Sequence, residues 1–106
     1  MKALVSGPDD RGLGDALAAL GVETIRIEGP ATRDSLAEAG LADADLFVLT
    51  DMSDASAIPV AKDRNPDVRV VAYSTDSLPE FARGQADLAV DPDLLGPDVV
   101  AEELAA

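Results

Sequence analysis

The chain has 106 residues, of which 47% are apolar, and a formal net charge of −13. This length predicts a single domain spanning residues 1–106 with one packed core. Histidine and cysteine are both absent, which excludes Ser–His and Cys–His nucleophiles, disulfides and thiolate metal sites. The acidic charge repels nucleic acid, and no segment indicates membrane insertion or secretion, so we expect a cytoplasmic protein.

Acidic residues strongly outnumber basic ones, and aromatic residues are rare. Asp and Glu number 21 against 8 Lys and Arg, and aromatic residues make up only 3% of the chain. This balance resembles cytoplasmic proteins of salt-in halophiles, where high salt screens the repulsion between surface carboxylates. We therefore expect most of the acidic side chains to lie on the solvated surface. A carboxylate is considered a site residue only where the predicted fold places it at a binding position.

Five apolar runs predict β-strands, and segments with helical spacing lie between them. The predicted strands are Ala3–Ser6, Val22–Ile27, Leu46–Thr50, Val68–Tyr73 and Leu88–Val90. A helix is predicted after each strand, and the first four end at Gly21, Gly40, Asn65-Pro66 and Gly84.

Three local signals fix where the later helices begin. Pro59 interrupts the third helical segment, so that helix either starts near Ser56 or kinks at the proline. Ser77-Leu-Pro-Glu80 predicts a capping box for the fourth helix. Gly96-Pro97 predicts the start of the fifth.

Strands alternating with helices predict an α/β fold, namely a three-layer, doubly wound, five-stranded parallel sheet of Rossmann-like type. We predict the strand order 3-2-1-4-5, which places the ligand crevice between strands one and four. Ligands of such sheets bind outside the carboxyl ends of the strands. This rule selects the segments Ser6–Arg11, Glu28, Thr50–Asp51 and Ser74–Asp76.

The segment after the first strand, Gly7-Pro8-Asp9-Asp10-Arg11-Gly12, partly matches the G-x-G-x-x-G pattern of dinucleotide-binding loops. Gly7 and Gly12 match, and Asp9 replaces the central glycine. Glu28 follows about 20 residues on, where an acid would hold a ribose. Three interpretations stay open: a helix start capped by Asp9 or Asp10, a nucleotide phosphate site, or a cation site.

Three segments, Leu41–Asp51, Val60–Ala72 and Gln85–Pro92, resemble the N-terminal domain of TrkA/RCK proteins. Members of that family are Rossmann domains that bind NAD(H), ATP or related nucleotides and regulate potassium transport. The resemblance implies a non-catalytic nucleotide- or metabolite-sensing module that works as a homodimer or with a separately encoded partner. The residues it implies for nucleotide contact or for lining the crevice are Gly7, Asp9, Gly12, Glu28, Thr50, Asp51 and Ser74.

The chain also resembles the receiver domains of response regulators. In that comparison Asp9-Asp10 corresponds to the acid pair that holds Mg²⁺, Asp51 to the phosphoacceptor and Thr75 to the switch hydroxyl. Asp91-Pro92 stands where receivers have Lys-Pro. An acid in place of that lysine repels a phosphoryl group, so this resemblance implies an inactive receiver-like protein-interaction module.

A third interpretation is a small Mg²⁺-dependent enzyme of nucleotide metabolism, with Asp9, Asp10 and Asp51 as oxygen ligands. The chain resembles short haloarchaeal proteins of this size, to some of which nucleotide-synthesis names such as CTP synthetase are attached. Neither a phosphate-binding G-x-x-x-x-G-K-[ST] loop nor a Cys–His pair is present to support such chemistry.

Overall fold

The computed structural model describes all 106 residues and contains five strands that alternate with five α-helices. The strands are β1 (Lys2–Ser6), β2 (Glu23–Ile27), β3 (Leu46–Leu49), β4 (Arg69–Tyr73) and β5 (Leu88–Val90). The helices are α1 (Leu13–Ala19), α2 (Arg33–Ala39), α3 (Ala57–Arg64), α4 (Glu80–Arg83) and α5 (Pro97–Ala105). All neighbouring strands pair in parallel, which confirms the predicted α/β sheet.

The strand order is β2-β1-β3-β4-β5, so the predicted order 3-2-1-4-5 is wrong. The reason lies in β3, whose four residues are all buried and which pairs with β1 on one side and β4 on the other. At a sheet edge the run Leu46–Leu49 would expose apolar surface, whereas β2 carries exposed and half-buried residues that suit an edge. The order therefore reverses between β1 and β3, which moves the expected crevice to that pair of strands.

Two apolar layers flank the sheet, because successive side chains of a strand point to opposite faces. Leu4 and Phe47 face the layer covered by α2, α3 and α4, which holds 17 buried residues. Val5 and Val48 face the layer covered by α1 and α5, which holds 12. This arrangement confirms the predicted three layers.

The local helix signals have mixed outcomes. Helix α3 begins at Ala57 after Ser56, so Pro59 lies in the first turn, where it costs no hydrogen bond. The capping box predicted at Ser77 is wrong, because α4 begins only at Glu80 and has no side-chain cap. Leu78 is buried instead, and its anchoring in the core leaves an extended segment before a helix of a single turn.

None of the five helices is long and apolar enough to cross a membrane.

Candidate functional site

A cleft of about 330 Å³ opens at the carboxyl ends of β1, β3 and β4. It contains four of the predicted site residues, because these three strands are neighbours in the sheet. The cleft is lined mainly by polar side chains, which include Asp9, Asp10, Arg11, Thr50, Asp51, Tyr73, Ser74, Thr75 and Asp76. Only one of its lining residues is hydrophobic, so its walls can offer hydrogen bonds and charge but little apolar contact.

The other predicted residues lie around this cleft. Glu28 follows β2 at the edge of the sheet, is exposed and does not line the cleft. Gly12 precedes α1 with φ +77°, and Gly7 follows β1 with φ +87°. Positive φ values of this size favour glycine. The nucleotide contacts predicted for these residues stay predictions.

The buried carboxylate of Asp9 occupies the start of α1. Its side chain is fully buried, and its two oxygens accept hydrogen bonds from the backbone N–H groups of Leu13 (3.0 Å) and Gly14 (2.8 Å). These are the first amides of the helix, the same groups that hold a phosphate in dinucleotide-binding loops. The chain therefore supplies its own anion there. The N-cap residue itself is Gly12, so the predicted N-cap position of Asp9 or Asp10 is wrong, and Asp9 instead reaches the helix amides from three residues before the N-cap.

Asp9 achieves this with a left-handed backbone, at φ +50° the only non-glycine residue with positive φ. Its backbone N–H donates to Thr50 Oγ1 (3.1 Å), whose hydroxyl donates to the carbonyl of Ser6 (2.6 Å). Thr50 thereby joins the loop after β1 to the end of β3. A Cβ atom on Gly7 would overlap Thr50 Oγ1 and approach the backbone N of Asp51 to 2.9 Å. The two loops are thus packed closely enough to require glycine at position 7.

Two arginines neutralise part of the acidic charge. Arg26, on β2, lies 3.5 Å from Asp9 Oδ2 and also donates to the carbonyl of Pro8 (3.2 Å). Arg11 lies in the loop itself but points to the loop after β5, where it pairs with Asp93 (2.6 Å). The sequence analysis does not select Arg26. The signal for Arg26 is a lone basic residue near the end of the strand beside β1.

The carboxylates do not form a metal centre. Asp9 uses both oxygens within the chain, and Asp51 accepts hydrogen bonds from the backbone N–H (2.9 Å) and hydroxyl (2.7 Å) of Ser53. Both bonds lower the pKa of Asp51, and the bond from the Ser53 hydroxyl has the larger effect. No group of three acidic side chains is arranged to hold a cation. The residues therefore do not fit the Mg²⁺ ion that the receiver resemblance implies.

The last loop, between β5 and α5, is tied to the cleft from two sides. Arg11 donates to the carbonyl of Pro92 (3.3 Å) as well as to Asp93. The hydroxyl of Tyr73 donates to the carbonyl of Leu95 (2.8 Å), and burial raises the pKa of this tyrosine. Arg11 and Tyr73 therefore hold this loop in place. The loop carries Asp91 at the position where receivers have a lysine.

Residues 3–104 match a family described as a family of unknown function (DUF7126). The chain belongs to this family. No curated protein matches it. The family match gives no support to the TrkA/RCK resemblance, so that assignment is replaced by the family itself.

Solved structures show what this family member is similar to in fold. HP1043, an orphan response regulator of H. pylori, has a TM-score of 0.76 and 16% identity, covering 99% of this chain and 93% of that one. A candidate pilus assembly-related protein of Burkholderia pseudomallei has a TM-score of 0.67 and 19% identity, covering 99% and 89%. A candidate pilus assembly protein of Burkholderia thailandensis has a TM-score of 0.69 and 18% identity, covering 99% and 98%. At these identities the likeness concerns the fold, which is receiver-like.

Proposed function

We propose that this chain is a receiver-like protein-interaction module that works without phosphorylation. The observation that carries the proposal is the internal use of the acidic residues: Asp9 caps α1 and Asp51 binds Ser53. A receiver pools such carboxylates around Mg²⁺ so that a phosphoryl group can be transferred and held. Asp9 and Asp51 are committed in this way, and Asp91 stands where a receiver has its lysine, so the positive charge that would stabilise a phosphoryl group is missing at that position.

The phosphorylation part of the proposal is tested with acetyl phosphate and Mg²⁺. We expect no phosphorylated species in intact-mass spectra and no thermal stabilisation by Mg²⁺ with beryllium fluoride, because stabilisation requires binding to the native state. A phosphorylated species that disappears in Asp51→Asn would overturn it. Asp54→Asn is the matched control, since Asp54 follows the same strand but does not line the cleft.

Nucleotide sensing is the second candidate, since Thr50, Asp51 and Ser74 share one polar cleft. Thermal melts in KCl with NAD(H), ATP and CTP distinguish the two. A nucleotide-dependent shift that is lost in Ser74→Ala, a residue of the cleft, would favour the sensor, and flat melting temperatures favour the interaction module.

The interaction part is tested in cells of the source organism with a photo-reactive residue placed at exposed positions around the chain, such as Leu20, Glu28, Arg33 and Phe81. We expect discrete cross-linked adducts from one face and none from the others. Adducts at no position, or the same adducts at every position, would contradict the proposal.

A further inference from the structure

Large apolar side chains that face solvent are concentrated in one segment of the chain. Seven such residues exist, and five of them lie between positions 81 and 99, within or beside α4, β5 and α5: Phe81, Leu88, Leu94, Leu95 and Val99. Phe81 is 61% exposed and Leu94 is 79% exposed. Apolar groups gathered in this way on a soluble domain mark interaction surfaces.

A groove of about 380 Å³ lies beside the same segment and is lined by residues that flank α4 and by residues of β5. Nearly half of its lining residues are apolar, among them Leu78, Ala86, Ala89 and Val90. The groove exists because α4 has only four residues, whereas α3 has eight, so β5 is covered incompletely and Ala89 stays exposed. Strand β5 also pairs only with β4, which leaves its other edge free. Helix α4 packs on one face of the sheet and α5 on the other, so the exposed side chains flank β5 on both faces. We call this groove together with the five exposed side chains the β5 edge.

The segment of the chain that forms the β5 edge is strongly acidic. Residues 76–103 contain eight acidic residues and one basic residue, Arg83, a net charge of −7. Two of the eight are neutralised from elsewhere, Asp87 by Lys62 and Asp93 by Arg11. The others form no ion pair. The segment therefore combines exposed apolar side chains with an excess of negative charge, and two of its carboxylates, Asp76 and Asp91, line the groove.

We infer that the β5 edge binds a segment of another protein that combines an apolar anchor with Lys or Arg residues; this rests on the proposed interaction function. Charge distinguishes between two possible occupants, a second copy of this chain and a basic segment of another protein. A second copy would bring together two segments that each hold six unpaired carboxylates and one arginine, and like charges across an interface are costly. A basic segment is attracted instead, and its apolar anchor can bury against Phe81 and the groove.

The probe is a synthetic peptide of leucine and lysine, added to the ¹⁵N-labelled full chain at two KCl concentrations. We expect saturable NMR shift changes confined to residues 78–99, with an affinity that falls as KCl rises. A lysine–serine peptide of equal charge and a leucine–glutamate peptide are the controls. We expect the first to bind at least about tenfold more weakly and the second not to bind.

Variants locate the contact. Phe81→Ser with Leu94→Ser removes exposed side chains that the fold does not need, and we expect at least about a tenfold loss of affinity with an unchanged melting temperature. Leu20→Ser is the control, because Leu20 is an exposed leucine directly after α1. We expect this variant to bind the peptide normally. Shift changes spread over the whole surface, or equal affinity in the double variant, would overturn the inference.

Sedimentation equilibrium of the free chain separates the two proposals. A dimer that dissociates in the Phe81→Ser, Leu94→Ser variant would overturn the basic partner and leave the interaction function standing. A monomer that binds the leucine–lysine peptide at the β5 edge supports the basic partner.

Discussion

The cleft at the ends of β1 and β3 and the β5 edge form an instructive contrast. The cleft lies where the strand order reverses, which is where doubly wound sheets usually bind ligands. Here its strongest groups are used within the chain: Asp9 binds helix amides, Thr50 links two loops and Arg11 holds the last loop. The five exposed side chains of the β5 edge have no such role in the fold, because they face solvent.

The difference teaches that position in a fold does not by itself identify a binding surface. Polar groups with partners inside the chain contribute to stability, whereas exposed apolar groups gain free energy only when something covers them. Substitutions in the cleft should therefore change stability, and substitutions at the β5 edge should change binding alone.

The largest effect is expected for Gly7→Ala. The new Cβ would overlap Thr50 Oγ1 in a backbone with φ +87°, so we expect a loss of about 2–4 kcal/mol in the free energy of unfolding. Gly21→Ala is a matched control, because Gly21 has the same φ and nothing within 4 Å of its Cβ position. It should lose only about 1 kcal/mol, measured by urea denaturation. Equal losses would mean that the two loops are not closely packed.

The next effect tests whether Asp9 acts as an internal anion. Asp9→Gly leaves the amides of Leu13 and Gly14 without their carboxylate and should cost about 1–2 kcal/mol. It also restores the central glycine of the loop. We therefore expect sulfate or inorganic phosphate to recover part of the lost stability in this variant, because helix N-terminal amides bind anions.

The control for this rescue is Asp10→Gly, since Asp10 is exposed and makes no hydrogen bond to the helix. Thermal melts at constant ionic strength should show no selective recovery by phosphate in this variant or in the unaltered chain. Selective stabilisation of the unaltered chain would instead show that its loop accepts an anion and would revive the nucleotide interpretation.

Tyr73→Phe should lose about 1 kcal/mol, because it removes the hydrogen bond from the tyrosine hydroxyl to Leu95. Burial raises the pKa of Tyr73, so its contribution is complete below the ordinary tyrosine pKa of about 10 and is lost as pH rises through the higher folded value. Tyr73 is the only tyrosine and tryptophan is absent, so tyrosinate absorbance reports this group alone. An ordinary titration midpoint would contradict the buried hydroxyl.

The smallest effect concerns Asp87, which anchors β5 to the rest of the sheet. Burial acts to raise the pKa of Asp87, but hydrogen bonds from Lys62 and the Val70 N–H and the charges of Lys62 and Arg69 hold it below the usual value. Its contribution is therefore complete above an unfolded pKa of about 4 and is lost as pH falls through the lower folded value. Its side chain is 43% exposed, so solvent screening limits the effect to about 0.5–1 kcal/mol.

The check is the acid limb of the stability curve. Asp87→Asn should flatten the decline of the free energy of unfolding below about pH 4, and Asp63→Asn, an exposed acid on α3, should not. Identical acid limbs in the two variants would show that Asp87 does not anchor β5.

Sequence patterns predict most of the fold, because apolar runs and glycine stops act locally. The strand order is not local: Leu46–Leu49 and Val70–Tyr73 are equally apolar, and only pairing between distant segments decides which strand lies beside β1. The missing cap of α4 has a similar origin, since burial of Leu78 overrides the signal at Ser77.

The place of the cleft is predictable from the strand ends, but the use of its groups is not. Whether Asp9 points to a ligand or to its own helix depends on a left-handed φ and on Arg26, a neighbour only in the folded sheet. The β5 edge cannot be predicted from the sequence either, because the sequence does not distinguish the exposed Leu94 from the buried Leu104.

The tethered carboxylate at the start of α1 has a regulatory consequence. An anion that belongs to the polypeptide cannot dissociate, so its local concentration never changes with metabolism. Under the interaction function that we propose, such a module would be constitutive, and its output would follow the amounts of the protein and of its partner.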